Sequence, residues 1–227
     1  MGASARAASF YKRKLDTLPL GRHYEAMSEQ IARIRITLDD TKPAVWRRVE
    51  LPLTNSLKTL HPAIQAAMLF ENYHLFQFEI GDTRYGIPFD DEWSGTPTRD
   101  AGNLRLRKLV ERGITDFTYT YDFGDNWRHT VAIEAVAPAD PEKEYPCFVD
   151  GERRAPPEDA GGTSGFEEFV EAMTKPRHPE HEAVSEWYGG LFDPADISPD
   201  EIGVRMGRLA KRRANGRAAH KKHHGSR

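Results

Sequence analysis

A chain of 227 residues with 38% hydrophobic residues and a mean hydropathy of −0.68 fits one or two globular domains with polar segments. No run approaches the roughly 18 apolar residues of a membrane span, MGASARAASFYKRKL lacks a signal peptide's apolar core, and a lone cysteine, Cys147, excludes an internal disulfide and suits a reducing cytoplasm. The net charge of −3 hides seven Lys/Arg and no acid in residues 211–227, leaving 25 basic against 35 acidic residues elsewhere, a net of −10 that excludes a globally basic nucleic-acid binder.

Residues 1–29 read as a poorly ordered leader. Ile34, Ile36 and Leu38 alternate with Arg33, Arg35 and Thr37, the period of a half-buried strand. After a DDTKPA turn, VWRRVEL resumes as a second strand, with Val45, Val49 and Leu51 on one face and Trp46, Arg48 and Glu50 on the other. Arg47 interrupts the apolar face and is expected at a strand end, reaching solvent. Leu57, Leu60, Ile64, Ala67 and Met68, three and four apart, predict a helix; Pro62, with no N–H to donate, sets its expected start, and Phe70 its end.

HLFQFEIGDTRYGI predicts a hairpin on a two-residue Gly81-Asp82 turn of type II′, with Ile80 facing Thr83, Glu79 facing Arg84, Phe78 facing Tyr85 and Phe76 facing Ile87. DDEWSGTPTRDAGN is a polar loop, and LRLRKLV a short helix or strand. Then comes the stretch around which the chain is organised, FTYTYDFGDNWRHTVAIEA. Phe117, Tyr119, Tyr121 and Phe123 alternate with polar residues, as do Trp127, His129, Val131 and Ile133. Only an odd loop, of three residues or five, puts both apolar stripes on one face. The expected pairs are Phe123 with Trp127, Tyr121 with His129 and Tyr119 with Val131; Asn126 suits the positive φ that such a loop needs.

Residues 138–165, rich in Pro, Gly and charge, read as an irregular segment. Three helices are expected after it: one capped by Ser164 and Glu167, one opened by Pro179 and closed by Gly189-Gly190, and one started by Ser198, Pro199 and Glu201. The predicted class is α+β: a mainly antiparallel sheet of hairpins with one crossing helix, followed by a C-terminal helical part. One domain is expected over 30–210, and the basic tail at 211–227 is expected to be disordered, able at most to touch phosphates weakly and without reading sequence.

Several groups bear on chemistry. Asp122-Phe123-Gly124 spells a kinase metal-binding triplet, but the Gly-rich loop, strand lysine and His-Arg-Asp loop are missing, so that reading is set aside. Asp122, Asp125, His129 and Glu158 could form an acid/base cluster at the hairpin end; the bland alternative has the aspartates capping the turn and His129 half-buried across from Tyr121. Glu158 and Asp159 pair after Pro156-Pro157, and Gly161 to Gly165 precede a helix where amides could hold an anion, although helix capping explains Ser164. His178 and His181, three apart, lack a third ligand. Trp46, Arg47, Arg48, Trp127 and Arg128 suggest an aromatic-basic surface for nucleic acid or protein, or ordinary packing. His220, His223 and His224 are at most loose metal ligands.

The runs RIRITLDDTKPAVWRRVELP, LHPAIQAAM, HLFQFEIGDTRYG, YTYDFGDNWRH, YPCFVDGERRAPPEDAGGTSGFEEF and HPEHEAVSEW, in this order over about residues 31–205, resemble the plasmid pRiA4b ORF-3-like family. The resemblance implies an α+β fold and an intracellular prokaryotic setting, on plasmids, chromosomes or insertion elements, but no reaction. Many relatives have C-x7-C-x4-C where this chain has Cys147, Ala155 and Ala160, and His-Leu-His where it has His74-Leu75-Phe76. One cysteine does not make a thiolate zinc site, so neither a metal nor a cofactor is expected. The expected function is a cytoplasmic binding or accessory module with an unknown protein or nucleic-acid partner and no membrane. Its candidate binding residues are Trp46, Arg47, His74, Asp122, Asp125, Trp127, His129, Glu158 and Asp159. The alternative is a small metal-dependent or acid/base hydrolase built on Asp122, Asp125, His129 and Glu158.

Overall fold

In a computed structural model the described residues form eight strands: Gln30–Leu38 (β1), Val45–Pro52 (β2), Phe76–Ile80 (β3), Thr83–Gly86 (β4), Arg99–Asp100 (β5), Asp116–Tyr121 (β6), Trp127–Pro138 (β7) and Cys147–Glu152 (β8). Helices occupy Leu57–Met68 (α1), Leu106–Glu111 (α2), Gly162–Thr174 (α3), His181–Tyr188 (α4) and Pro199–His224 (α5). Residues 29–88 and 97–224 are described, the last four by their backbone alone. The expected leader, apart from Glu29, and residues 90–96 of the polar loop fall outside the described residues, while the rest of that loop holds β5 and a 3-10 turn at Ala101–Asn103.

The strands form one sheet in the order β5-β4-β3-β6-β7-β1-β2-β8, antiparallel except for the short β4–β5 pair. The fold is therefore α+β. One face gathers Ile34, Ile36, Leu38, Val49, Phe78, Tyr119 and Trp127, each no more than 1% exposed. Each aliphatic side chain among them adds about 1.5–3 kcal/mol of burial. Against this face, α1 packs on β2 and on α5, and α5 also packs on β8. The opposite face carries Arg33, Arg35, Trp46 and Arg48, with Arg48 paired to Glu134 and Asp150. No described helix is long and apolar enough to cross a membrane.

The second hairpin has the expected register, Ile80 to Thr83, Glu79 to Arg84 and Phe78 to Tyr85, on a Gly81 with φ +55°. Ile87, however, lies beyond the end of β4 and is exposed. The central hairpin keeps the odd parity but moves by two residues. Tyr121 pairs with Trp127, Tyr119 with His129 and Phe117 with Val131, around a loop from Asp122 to Asn126. A shift of two leaves every side chain on its own face, so alternation alone does not choose between these registers. Asp122 as well as Asn126 takes a positive φ, and Phe123 is turned out to solvent.

Four other expectations are corrected. Helix α1 starts at Leu57, a full turn before Pro62, because buried Leu57 and Leu60 anchor it and the Leu57 N–H donates to the Leu104 carbonyl (2.9 Å). The irregular segment holds β8, which adds to the edge of β2. Helix α3 starts at Gly162, so Ser164 lies within it and does not cap it. Finally, α5 continues to His224, through most of the stretch expected to be disordered, which is rich in strong helix formers such as Ala, Lys and Arg.

Candidate functional site

Two chain segments meet at the loop end of the central hairpin. The first leaves α1 through Leu69 and Asn72, both at positive φ, and carries Glu71, Tyr73 and His74 into β3. The second follows β8 and brings Glu158 and Asp159 after Pro156-Pro157. Between them lies Tyr121, the last residue of β6. Its hydroxyl accepts from the N–H of Tyr73 (2.9 Å) and of His74 (3.4 Å) and donates to Glu158 Oε1 (3.0 Å). The Glu71 N–H donates to the same carboxylate oxygen at 2.6 Å. Burial, and next the Glu158 carboxylate, push the Tyr121 hydroxyl's pKa well above its ordinary value, so it stays protonated as that donor.

Asp122 starts the turn. Its N–H donates to the Leu75 carbonyl (2.9 Å), and its Oδ1 accepts from Gly124 N–H (2.9 Å). The other oxygen is thereby turned toward His74, with Oδ2 3.6 Å from Nε2. Asp159 Oδ1 lies 3.2 Å and Glu158 Oε2 3.9 Å from the same nitrogen. His74, Asp122 and Asp159 offer ligand atoms all within 4.8 Å of one another. His74 Nε2 and Glu158 Oε2 are buried atoms with no hydrogen-bond partner among the described residues. Beside the cluster opens a groove of about 360 Å³, lined in part by Tyr73, Pro157, Glu158, Trp187 and Arg205.

Of the proposed hairpin set, Asp122 and Glu158 come together, with His74 and Asp159 from the wider binding list. Asp125 does not join them; its Oδ2 accepts from the Gly161 N–H (3.0 Å), fastening the hairpin loop to the segment after Asp159. That fastening is close. A Cβ on Gly162, at φ +70°, would stand 2.7 Å from the Asp125 carbonyl oxygen. His129 is fully buried, donating from Nδ1 to the Trp127 carbonyl (2.9 Å) and packing edge-on against Phe70. Burial lowers its pKa to about 4, so it is neutral. It is therefore not the half-buried partner of Tyr121 that was expected, nor within the acidic cluster. Trp127 is fully buried too, edge-on to Phe166.

The aromatic-basic group divides in the same way. Trp46 lies on the open face of the sheet under the Arg35 and Arg48 guanidinium groups, at 4.0 and 5.1 Å. Arg128 is exposed beside Asp39. Arg47, expected in solvent, is 0% exposed. Its Nε donates to Ala67 O, and its Nη1 to the carbonyls of Trp46, Glu152 and Arg153. Burial, with the nearby charge of Arg154, lowers its pKa to about 10, so it stays charged at neutral pH. The carbonyl at the C-terminal end of α1 supplies partial negative charge there. Arg47 thus ties together the ends of α1 and β8, from which the two site segments start.

Elsewhere, His178 and His181 bond to backbone, Nδ1 of the first accepting from Glu180 N–H (3.2 Å) and Nδ1 of the second lying 2.8 Å from Ala172 O. Cys147 sits against Glu50 Oε2 at 3.7 Å, its thiol pushed up to about 11 by burial and by that carboxylate. Sequence reasoning missed Tyr121 and Glu71 as site-builders. The polar stop that follows an aromatic stripe at Tyr121-Asp122 is the one signal that could have pointed to the tyrosine.

Compared with known proteins, residues 30–201 match the family described as plasmid pRiA4b ORF-3-like protein. An uncharacterized protein of Sinorhizobium fredii (strain NBRC 101917 / NGR234), y4hQ, is 37% identical over 196 residues, covering 82% of this chain and 100% of that protein. The crystal structure of a protein of unknown function, MM3350 from Methanosarcina mazei Go1, is similar with a TM-score of 0.71 and 33% identity, over 78% of this chain and 98% of that one.

Proposed function

Since the chain belongs to the plasmid pRiA4b ORF-3-like protein family, and its relatives' descriptions name no reaction, we propose a function from the cluster itself. His74, Asp122, Glu158 and Asp159 form a divalent-cation site that serves a small metal-dependent hydrolase. One observation carries the reading: the buried, unpaired His74 Nε2 faces carboxylate oxygens of Asp122, Glu158 and Asp159. An imidazole nitrogen gathered with three carboxylates is a place that a cation can join. One nitrogen and three oxygens suit Zn²⁺, Mn²⁺ or Fe²⁺ better than the thiolate set that this chain lacks.

Within that reading, Tyr121 and the Glu71 amide hold Glu158 Oε1, leaving Oε2 to point at the cluster. Asp122, fixed through Gly124, presents Oδ2 in the same way. The cation supplies Lewis acidity, and the groove at Tyr73 and Trp187 offers room for a substrate. A cytoplasmic setting goes with this proposal, supported by the free thiol of Cys147.

A second reading, a non-catalytic accessory module linked to plasmids or mobile DNA, has the family's name behind it. It is also favoured by Asp125 and His129, which serve structure, so that the hairpin alone holds no acid/base pair. Elemental mass spectrometry of the full chain separates the two, with His220, His223 and His224 changed to Gln to remove loose ligands. Stoichiometric metal that is lost in His74→Gln and in Asp122→Asn, with metal-dependent turnover on an ester and phosphoester panel, is the expected result. Metal retained by both variants, or no metal and no turnover, leaves the accessory module.

A further inference from the structure

From Ile202 to Arg227 the chain has nine Lys/Arg and no Asp or Glu. Helix α5 sorts these cations by face. Ile202, Met206 and Ala210 are buried at a spacing of four and define the side turned to the core. Arg213 and Arg217 lean toward Glu29, and Arg205 binds Glu71 and Glu201. At 100° per residue, Arg208, Lys211 and Arg212 point the opposite way. All three described side chains are exposed, with no ion pair or hydrogen bond to any described residue.

We propose that this outward stripe binds the phosphate backbone of duplex nucleic acid, without reading sequence. Charge complementarity carries the choice of partner. Arg208 to Arg212 runs about 6 Å along the helix, a length over which duplex DNA presents about 3 or 4 phosphate charges, which the three cations match. The rest of the chain carries a net charge of −10 without its last 17 residues, which disfavours a polyanion on the body as a whole and favours this helix. Val204 is the one large apolar side chain exposed on α5, too little to seat the helix in a membrane interface. The stripe has no aromatic side chain on which unpaired bases would stack, so it fits duplex better than single strands. This inference is independent of the cation site, although Arg205 links the start of the same helix to Glu71 beside it.

The test is fluorescence anisotropy of a labelled duplex of about 20 bp with the full chain, titrated across about 50–200 mM salt. Wild type should bind with a steep salt dependence. Arg208→Gln, Lys211→Gln and Arg212→Gln together should weaken low-salt binding about tenfold or more and lower the log–log salt slope by about 3. The helix content and melting temperature of this variant should be unchanged, since the three side chains hold nothing in the fold. Equal binding by variant and wild type overturns the proposal, as does no binding by wild type at the lowest salt. Equally tight binding of polyglutamate or of anionic vesicles overturns it as well, and points to an acidic protein or a membrane instead.

Discussion

The middle of the sheet and its loop end hold their polar groups in different surroundings, the one among aromatic rings and the other among carboxylates. In the middle, His61 stacks on Phe76 at 3.6 Å, and each of its nitrogens has one partner. Asn72 Oδ1 accepts from Nε2–H (2.7 Å), the Tyr119 hydroxyl donates to Nδ1 (2.8 Å), and Gln65 Nε2 donates to that hydroxyl (3.0 Å). Along this chain donors meet acceptors as far as Gln65, whose Oε1 has no partner among the described residues, and the chain fixes Asn72 two residues before His74. At the loop end His74 Nε2 instead lies 3.2 to 3.9 Å from carboxylate oxygens of Asp122, Glu158 and Asp159, with no hydrogen bond to any described residue. A hydrogen-bonded network holds a fold in one arrangement; the gathering of acidic oxygens around one imidazole nitrogen is what the proposed cation site rests on.

The largest expected effect comes from acidifying the middle. Burial lowers the pKa of His61 and of His129 from 6.5 to about 4. The unfolded chain therefore takes up protons first as pH falls. The stability is fully present above about pH 6.5 and is lost progressively toward pH 4, by up to roughly 3 kcal/mol for each histidine. Glu134, held below 4.5 by Arg48, begins to lose its contribution only as pH falls past about 4.5, at the acid end of that window. Urea unfolding at intervals between pH 7.5 and 4 should show the loss, and His129→Gln should flatten it. A free energy of unfolding that is level across the window would mean that these rings are not sealed.

That contrast was only partly legible in the residues. Alternation at Ile34–Leu38, Val45–Leu51 and Phe117–Tyr121 is a local property, and it delivered the strands and their faces. It did not deliver β8, because Cys147–Glu152 is an edge with no apolar stripe to alternate; its burial is intermediate or exposed throughout. Arg47 was misplaced because its partners are carbonyls of residues 67, 152 and 153 as well as its own neighbour, and no local pattern reveals that convergence. Asp122, Glu158 and His74 were recognisable as chemically capable residues. Their meeting depends on long-range pairing, which also set His129 inside and His74 at the rim.

The proposed cation site gives the next effect. His74→Gln and Asp122→Asn should each lower divalent-cation affinity by about 10- to 100-fold in calorimetric titration, in line with losing one ligand. Thermal stability without cation should fall by no more than about 1 kcal/mol. If either change instead raised affinity, or if wild type bound no cation at neutral pH, the cluster would be an ion-pair knot and no metal site, and the comparison between middle and end would vanish. Gly162→Ala tests the same end from a distance. Its Cβ meets the Asp125 carbonyl at 2.7 Å in a left-handed conformation, so the segment carrying Asp159 must shift. A stability loss of about 1–3 kcal/mol with weaker cation binding is expected.

Asp125→Ala should have the smallest effect, and its size distinguishes a tether from a ligand. The change removes one hydrogen bond, from Gly161 N–H to Oδ2, at a part-exposed position where water replaces the lost acceptor, so about 1 kcal/mol of stability is at stake. Cation affinity should fall about fivefold or less, because Asp125 offers no atom to the cluster and acts only through the placement of Asp159. Asp125→Asn, which keeps a carbonyl oxygen for the Gly161 amide, should restore both quantities. A ligand carboxylate would show the reverse pattern, with stability nearly unchanged, affinity reduced as far as in Asp122→Asn, and no rescue by the amide. That outcome would move Asp125 from the structural part of the molecule to the cation site, and with it the boundary between them.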